Sequence, residues 1–133
     1  MAKVLGIGGF FFQCRDTEAT KEWYTRVLGL EINDHGSVMF HHRESAETFG
    51  PGALTVWSPF SKDDGYFEPS SENHMVNLMV DDLTAMLERC AGEGVDPVKP
   101  REDHPYGSFC WIVDPDGRKI ELWQPGTPPN NED

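Results

Sequence analysis

The sequence predicts a single α+β domain made of two copies of one βαβββ unit. Three observations lead to this prediction. Short apolar runs are broken by 10 prolines and 13 glycines, a composition typical of strands and helices joined by tight turns. Two apolar stripes recur at helical spacing, and each begins just after an aspartate that can cap a helix. Matching residues in the two halves are separated by a constant offset of 66 positions.

Length, charge and cysteine content limit the kinds of molecule that this protein can be and can bind. The chain has 133 residues, enough for one domain that buries about two-thirds of its unfolded surface. Its formal net charge of −12 argues against binding to nucleic acid or to anionic membranes. The apolar run from Val4 to Phe12 is too short to cross a bilayer and does not resemble a secretion signal, so a cytoplasmic location is expected. Cys14, Cys90 and Cys110 lie far apart in apolar patterns and are expected to be reduced core thiols.

The first unit, about residues 5–59, is predicted to contain one helix. Asp16 or Thr17 caps this helix, and Gly29 ends it because glycine accepts a left-handed conformation. Its apolar stripe, predicted to be core, is Ala19, Trp23, Val27 and Leu28. Strands are predicted over residues 9–14, 30–32, 38–42 and 53–57, and a polar loop over residues 43–52.

A connector of about residues 60–72 separates the two units. Serine, proline, aspartate and glycine dominate it, yet it carries Phe60, Tyr66 and Phe67. Three aromatic side chains in one connector indicate that it packs down on the domain, either as an ordinary anchored loop or as a lid over a pocket.

The second unit, about residues 73–125, repeats the order of the first. Residues 75–80 alternate as a strand, Asp82 caps a helix, and Gly92 and Gly94 close it. The helix stripe, predicted to be core, is Leu83, Met86, Leu87 and Cys90. A strand is predicted over residues 95–98, a polar loop over 101–105 and a frayed tail over 126–133.

A β-hairpin is predicted at the end of the second unit. Apolar residues 109–113 precede the turn residues 114–117, which read Asp-Pro-Asp-Gly, and residues 120–123 run back. In the return strand Lys119, Glu121 and Trp123 share one face. A carboxylate and an indole side by side are unusual on a solvent-exposed strand edge, so this face is predicted to form a functional site.

The offset of 66 positions relates caps, helices and terminal strands alike. Asp16 recurs as Asp82, and Trp57 recurs as Trp123. The other identities at this offset are Ala19 with Ala85, Glu22 with Glu88, and Pro59 with Pro125. One unit alone would leave a sheet face exposed, so the two copies are expected to combine into one domain.

The sequence resembles the vicinal oxygen chelate superfamily, which includes glyoxalases, extradiol dioxygenases, fosfomycin-resistance enzymes and bleomycin-binding proteins. Three motifs carry the resemblance: the DPDG-x-x-IEL terminus, a helix that contains Trp23-Tyr24 and ends in Leu28-Gly29-Leu30, and the helix entry Val80-Asp81-Asp82-Leu83. The resemblance implies that the two units curl into an incomplete, curved-sheet barrel with helices outside. It also implies a homodimer.

Metal-binding members of that superfamily take ligands from the first and last strands of each unit. Carried over by position, these places fall on Gly9, Thr55, Met75 and Glu121. Only Glu121 is a strong donor, so the resemblance implies a degenerate site without a tight metal. The alternative is a divalent ion such as zinc, nickel, manganese or iron, held by Glu121 with a nearby histidine. The histidines weighed for that role are His74, His41 and His42.

The predicted pocket combines apolar, aromatic and a few polar side chains, as small-molecule sites do. The residues expected to line it with Glu121 are Phe11, Gln13, Thr55, Trp57, Met75, Asn77, Met79 and Trp123. Trp57 and Trp123 are expected to flank a planar or cationic ligand. The alternative to a ligand pocket is a barrel interior that is filled by the protein's own side chains.

Three functions remain open on this evidence. The first is a glyoxalase-like protein that binds a small organic ligand, similar to the bleomycin-binding members. The second is a metal-dependent lyase or dioxygenase that uses Glu121 with a histidine. The third is metal-free acid–base catalysis by Glu121 in a dry aromatic pocket.

Overall fold

The computed structural model describes residues 1–126, so residues 127–133 of the predicted tail lie outside the described residues. The helices are α1 (Thr17–Leu28), α2 (His42–Phe49) and α3 (Leu83–Gly92), with a 3₁₀ turn at Gly50–Gly52. The strands are β1 (Val76–Met79), β2 (Glu102–His104), β3 (Gly107–Val113) and β4 (Lys119–Pro125). Nowhere in residues 1–126 does a helix have the length and apolar character needed to span a membrane.

The four strands form one open sheet in the order β1-β4-β3-β2. β1 runs parallel to β4, whereas β3 runs antiparallel to both β4 and β2. One face of the sheet packs against α1 and α3, and this layer holds the core. The buried core residues include Val27, Leu83, Cys110, Ile112, Ile120 and Leu122. The predicted α+β class is therefore confirmed. Both helical stripes pack in or against the core except for Ala19, which is exposed near the start of α1.

Both core helices begin at the predicted aspartates. The Asp16 Oδ1 atom accepts a hydrogen bond from the Ala19 amide at 3.1 Å, and the Asp82 Oδ1 atom accepts one from the Ala85 amide at 3.0 Å. α1 ends at Gly29, whose φ of 75° lies in the left-handed region. The two helix starts, 66 positions apart, thus have the same capping geometry.

The hairpin turn between β3 and β4 is held by a buried ion pair. The Asp114 carboxylate accepts hydrogen bonds from the Arg118 Nη1 atom at 3.1 Å and from the Tyr24 hydroxyl at 2.7 Å. Burial and the neighbouring Asp114 carboxylate raise the pKa of Tyr24 well above its usual range. Arg118 also donates to the Gln13 carbonyl and lies over the Phe12 ring. The turn therefore ties α1 and the N-terminal segment to the sheet.

The strands predicted in the first unit are absent from the described residues. No residue in the ranges 9–14, 30–32, 38–42 or 53–57 is in a strand, and residues 95–98 of the second unit are not in one either. A strand needs a neighbour that completes its backbone hydrogen bonds, and within residues 1–126 these segments form no ladder with the sheet; residues 95–98 make a single backbone hydrogen bond to it, from the Val98 amide to the Trp111 carbonyl at 2.9 Å. Their large apolar side chains are accordingly exposed, as for Phe11 (93%) and Trp57 (79%).

The predicted loop over residues 43–52 instead contains α2, while the predicted loop over residues 101–105 contains β2. Glu44 lies in the first turn of α2, where the positive end of the helix dipole stabilises its negative charge. Gly50 directly follows the last residue of α2. The polar residues of the range 43–52 had indicated a loop, but polar side chains are equally compatible with an exposed helix such as α2.

Candidate functional site

Glu121 and Trp123, two of the residues predicted to form a site, lie on the face of the sheet opposite the helices. Asn77 of β1 and Trp111 of β3 are both in register with Glu121 of β4. Phe109 is in register with Trp123, two positions further along the same strands. Because side chains alternate along a strand, these residues share one face, called here the inner face.

The Glu121 carboxylate is the polar centre of the inner face. The Asn77 Nδ2 atom donates to Oε1 at 2.6 Å, and the Trp111 Nε1 atom donates to Oε2 at 2.9 Å. The Tyr66 hydroxyl also donates to Oε2. Glu121 is only 8% exposed, so its charge is stabilised by three neutral donors rather than by water. Burial, followed by the hydrogen bond to Glu121, raises the pKa of Tyr66 above its usual range.

The connector packs on the inner face through its aromatic residues. Phe60 stacks on Tyr66 with ring centroids 5.5 Å apart and lies 5.2 Å from Phe67. Tyr66 meets Trp111 edge to face at 6.3 Å. The backbone carbonyl of Tyr66 accepts a hydrogen bond from the Lys119 Nζ atom at 2.6 Å. The connector is therefore anchored over Glu121, and its function as a lid stays a prediction.

Three aromatic rings form a nearly parallel row across β3 and β4. Phe109 is next to both tryptophans. Its ring centroid lies 6.4 Å from that of Trp111, with an angle of 13° between the ring planes, and 6.1 Å from that of Trp123, with an angle of 11°. Trp111 is buried, whereas Phe109 and Trp123 are half-buried. This arrangement, called here the aromatic row, presents flat apolar surface beside the Glu121 carboxylate.

The structure brings together only part of the predicted pocket. Asn77, Met79, Glu121 and Trp123 lie on the paired strands β1 and β4, and Met75 directly precedes β1. Four further predicted residues belong to the strand-free N-terminal half: Phe11, Gln13, Thr55 and Trp57. Thr55 and Trp57 line a shallow groove with residues 4–7. The aromatic partners of Trp123 are on β3, so a ligand flanked by Trp57 and Trp123 stays a prediction.

The positions considered for a metal are also spread over the chain. Gly9 and Thr55 belong to no strand of the described sheet. His74 lies beside the Phe10 ring, with centroids 5.5 Å apart, and hydrogen-bonds to Asn73. His41 lies at the N-terminal boundary of α2, where its side chain makes no capping hydrogen bond, and His42 is the first residue of that helix. Within residues 1–126 no three histidine, cysteine, aspartate or glutamate side chains converge as metal ligands would.

Sequence reasoning missed Trp111, Phe109 and the exact contact made by Tyr66. Trp111 lies two positions from Phe109 and faces Glu121 in the hairpin register, so alternation along β3 could have found it. The aromatic content of the connector was recognised, but no local signal places Tyr66 on a carboxylate 55 positions later.

Comparisons with known proteins agree with the resemblance. The family model for the Glyoxalase/Bleomycin resistance protein/Dioxygenase superfamily matches residues 6–122. TnmS3, an antibiotic binding protein from Streptomyces sp. CB03234, is 20% identical with a TM-score of 0.57, and the match covers 95% of this chain and 100% of that one. A glyoxylase/bleomycin resistance protein/dioxygenase domain from Frankia sp. EAN1pec is 14% identical with a TM-score of 0.54, over 92% of this chain and 99% of that one.

A protein of unknown function from Agrobacterium tumefaciens str. C58 is 24% identical with a TM-score of 0.53, over 89% of this chain and 96% of that one. At these identities the solved structures show a shared fold, and they confirm the predicted glyoxalase-like class. The family model covers most of the chain. The chain therefore belongs to the glyoxalase/bleomycin resistance protein/dioxygenase superfamily.

Proposed function

We propose that this protein binds a small planar organic molecule on the inner face of its sheet. The observation that carries the proposal is the aromatic row, in which Phe109 and Trp123 remain half-buried and nearly parallel. Flat rings of this kind stack on planar ligands, and a few directed polar groups beside them give orientation. TnmS3, described as an antibiotic binding protein, has the same fold and supports a binding role. The ligand would be met in the cytoplasm, the location expected from the sequence.

The donors around Glu121 support binding that does not depend on a tight metal. Each carboxylate oxygen of Glu121 already accepts at least one hydrogen bond, and Oε2 accepts two. A cation would have to displace these neutral donors, and Asn77 would be the nearest replacement ligand on β1. Glu121 would instead hold Tyr66 and Trp111 in place, which keeps the aromatic row rigid.

Trp123→Leu is expected to weaken binding of a neutral aromatic probe, naphthalene-2-carboxamide, by about tenfold, because it removes stacking but keeps an apolar side chain. Saturation-transfer NMR and isothermal titration with wild type and variant measure the effect. Trp57→Leu is the matched control, since Trp57 is 79% exposed and lies outside the sheet. Equal losses in both variants, or no loss in either, would contradict the proposed place of binding.

We also propose that the protein is a homodimer. The strand-free N-terminal half exposes large apolar side chains, including Phe40 at 64% and Leu54 at 49%. Surface of this kind is typical of interfaces, and a second copy is the partner that the family resemblance implies. Within the described residues the sheet ends at β1 and β2, and such open edges can pair with a second copy.

Sedimentation velocity at micromolar concentration is expected to show a species of two 15.0 kDa chains. Phe40→Glu should shift it towards the monomer, because a carboxylate in an apolar interface is poorly solvated. Val98→Glu is the control, since Val98 is 39% exposed and lies outside the N-terminal half. A wild-type protein that sediments only as monomer would refute the proposal.

A further inference from the structure

Two lysine ammonium groups face the same pair of aromatic rings beside Glu121. The Lys99 Nζ atom lies 4.2 Å from the Trp111 ring centroid and 5.5 Å from that of Tyr66. The Lys119 Nζ atom lies 5.0 Å from the Tyr66 centroid and 5.7 Å from that of Trp111. The chain has 23 acidic residues against 11 Lys and Arg, so this pair of cations runs against its overall charge.

Lys119 is buried without a carboxylate partner. The residue is 4% exposed, and its Nζ atom donates one hydrogen bond, at 2.6 Å, to the Tyr66 carbonyl. An ammonium group has three donors, so two remain for another acceptor. Among residues 1–126, none of the ion pairs includes Lys119. Burial, followed by the charge of Lys99, lowers the pKa of Lys119.

The carboxylates around the two lysines compensate their charges only in part. The charges of Glu121 and Glu68 favour the ammonium form of Lys119, but within residues 1–126 no ion pair joins either carboxylate to it. Glu121 directs both oxygens at Asn77, Trp111 and Tyr66. Glu102 lies 3.5 Å from Lys99, but these two side chains are 46% and 39% exposed, and exposed pairs of this kind are weak.

We propose that Lys99 and Lys119 bind the anionic group of a planar aromatic ligand. The inference rests on the proposed function and narrows its ligand class to aromatic carboxylates. The ring of the ligand would stack on Phe109 and Trp123, and its carboxylate would lie towards Trp111, where the Lys99 ammonium sits. Ammonium–carboxylate hydrogen bonds are strong in a partly desolvated site, and the anion would relieve the repulsion between the two lysines.

From the sequence, a planar or cationic ligand was expected, because Trp57 and Trp123 could flank it. The ligand proposed here is planar but anionic. In the structure the Glu121 oxygens accept hydrogen bonds from neutral donors, whereas the Lys119 ammonium donates to the Tyr66 carbonyl and has hydrogens left for a further acceptor.

The test compares naphthalene-2-carboxylate with naphthalene-2-carboxamide, which has the same ring and shape but no charge, by isothermal titration at low salt. Wild type is expected to bind the carboxylate about tenfold more tightly than the amide. Lys99→Met and Lys119→Met should each abolish most of this preference, measured as the ratio of the carboxylate and amide affinities of the same variant. Lys62→Met is the matched control, since Lys62 is an exposed lysine of the connector.

Each outcome separates this inference from the proposed function. If both probes bind equally and the lysine variants match wild type, the anion site is wrong while aromatic binding stands. If neither probe binds wild type, both proposals fail. Should Lys119→Met not fold, Lys99→Met still decides the question, because Lys99 is partly exposed and its replacement leaves the core intact.

Discussion

Replacing Asp114 with alanine is expected to lower the free energy of unfolding by about 3–5 kcal/mol, because it leaves a buried guanidinium without its main partner. Asp114 is 4% exposed and Arg118 is 8% exposed. The Asp114 Oδ1 atom also accepts the backbone amides of Asp116 at 2.9 Å and of Arg118 at 3.0 Å. The substitution therefore removes these two side-chain-to-backbone hydrogen bonds of the turn together with the ion pair. Urea unfolding followed by circular dichroism measures the change.

Two variants show whether this loss comes from the buried network. Asp96→Ala makes the same chemical change at an exposed position and is expected to have little effect on unfolding. Tyr24→Phe removes only the hydroxyl that donates to Asp114 and should lower the free energy of unfolding by about 1 kcal/mol. An Asp114→Ala protein as stable as Asp96→Ala would show that Arg118 finds sufficient compensation in Asp116, which lies 3.3 Å away.

Glu121→Ala is expected to lower the free energy of unfolding by about 3 kcal/mol and to release the connector. The buried Trp111 indole N–H would lose its acceptor, and an unsatisfied buried donor is strongly unfavourable. Tyr66 would lose the hydrogen bond that holds the connector on the inner face. Hydrogen exchange should therefore accelerate at the amides of residues 64–70, and urea unfolding gives the stability.

The matched variants separate charge from hydrogen bonding at this position. Glu121→Gln keeps one oxygen for Tyr66 and Trp111, and Asn77 can rotate its amide to accept from the new NH₂ group. We expect this variant to keep the fold and the slow exchange of the connector. Glu88→Ala, at an exposed position of α3, controls for loss of a carboxylate. Wild-type exchange rates in Glu121→Ala would mean that the connector is held by its aromatic contacts alone.

The two core helices, α1 and α3, and the hairpin were predicted because their determinants are local. Asp16 and Asp82 cap α1 and α3 through amides three residues away, and Gly29 ends α1 within the same turn. The hairpin register follows from the Asp-Pro-Asp-Gly turn, and alternation then gives the face that holds Glu121 and Trp123. Family membership followed from these same motifs, and the family model confirms it.

In the first unit, local sequence patterns predicted strands that the described residues do not form. Residues 9–14 and 53–57 have strand-like patterns, but a strand exists only if another segment completes its hydrogen bonds. The side chains predicted to line a pocket from these segments, Phe11, Thr55 and Trp57, are exposed in the described chain.

The sequence by itself determined the two capped core helices, the hairpin and the face on which Glu121 lies, because each depends on residues within a few positions. It also determined the fold class, through the motifs that resemble the family. Only the tertiary structure decided what surrounds Glu121. Tyr66, Asn77 and Lys99 reach the inner face from separate parts of the chain, and no short-range pattern records such a meeting. The charge a ligand would encounter there depends on which donors already occupy the carboxylate, and that is a property of the packed molecule.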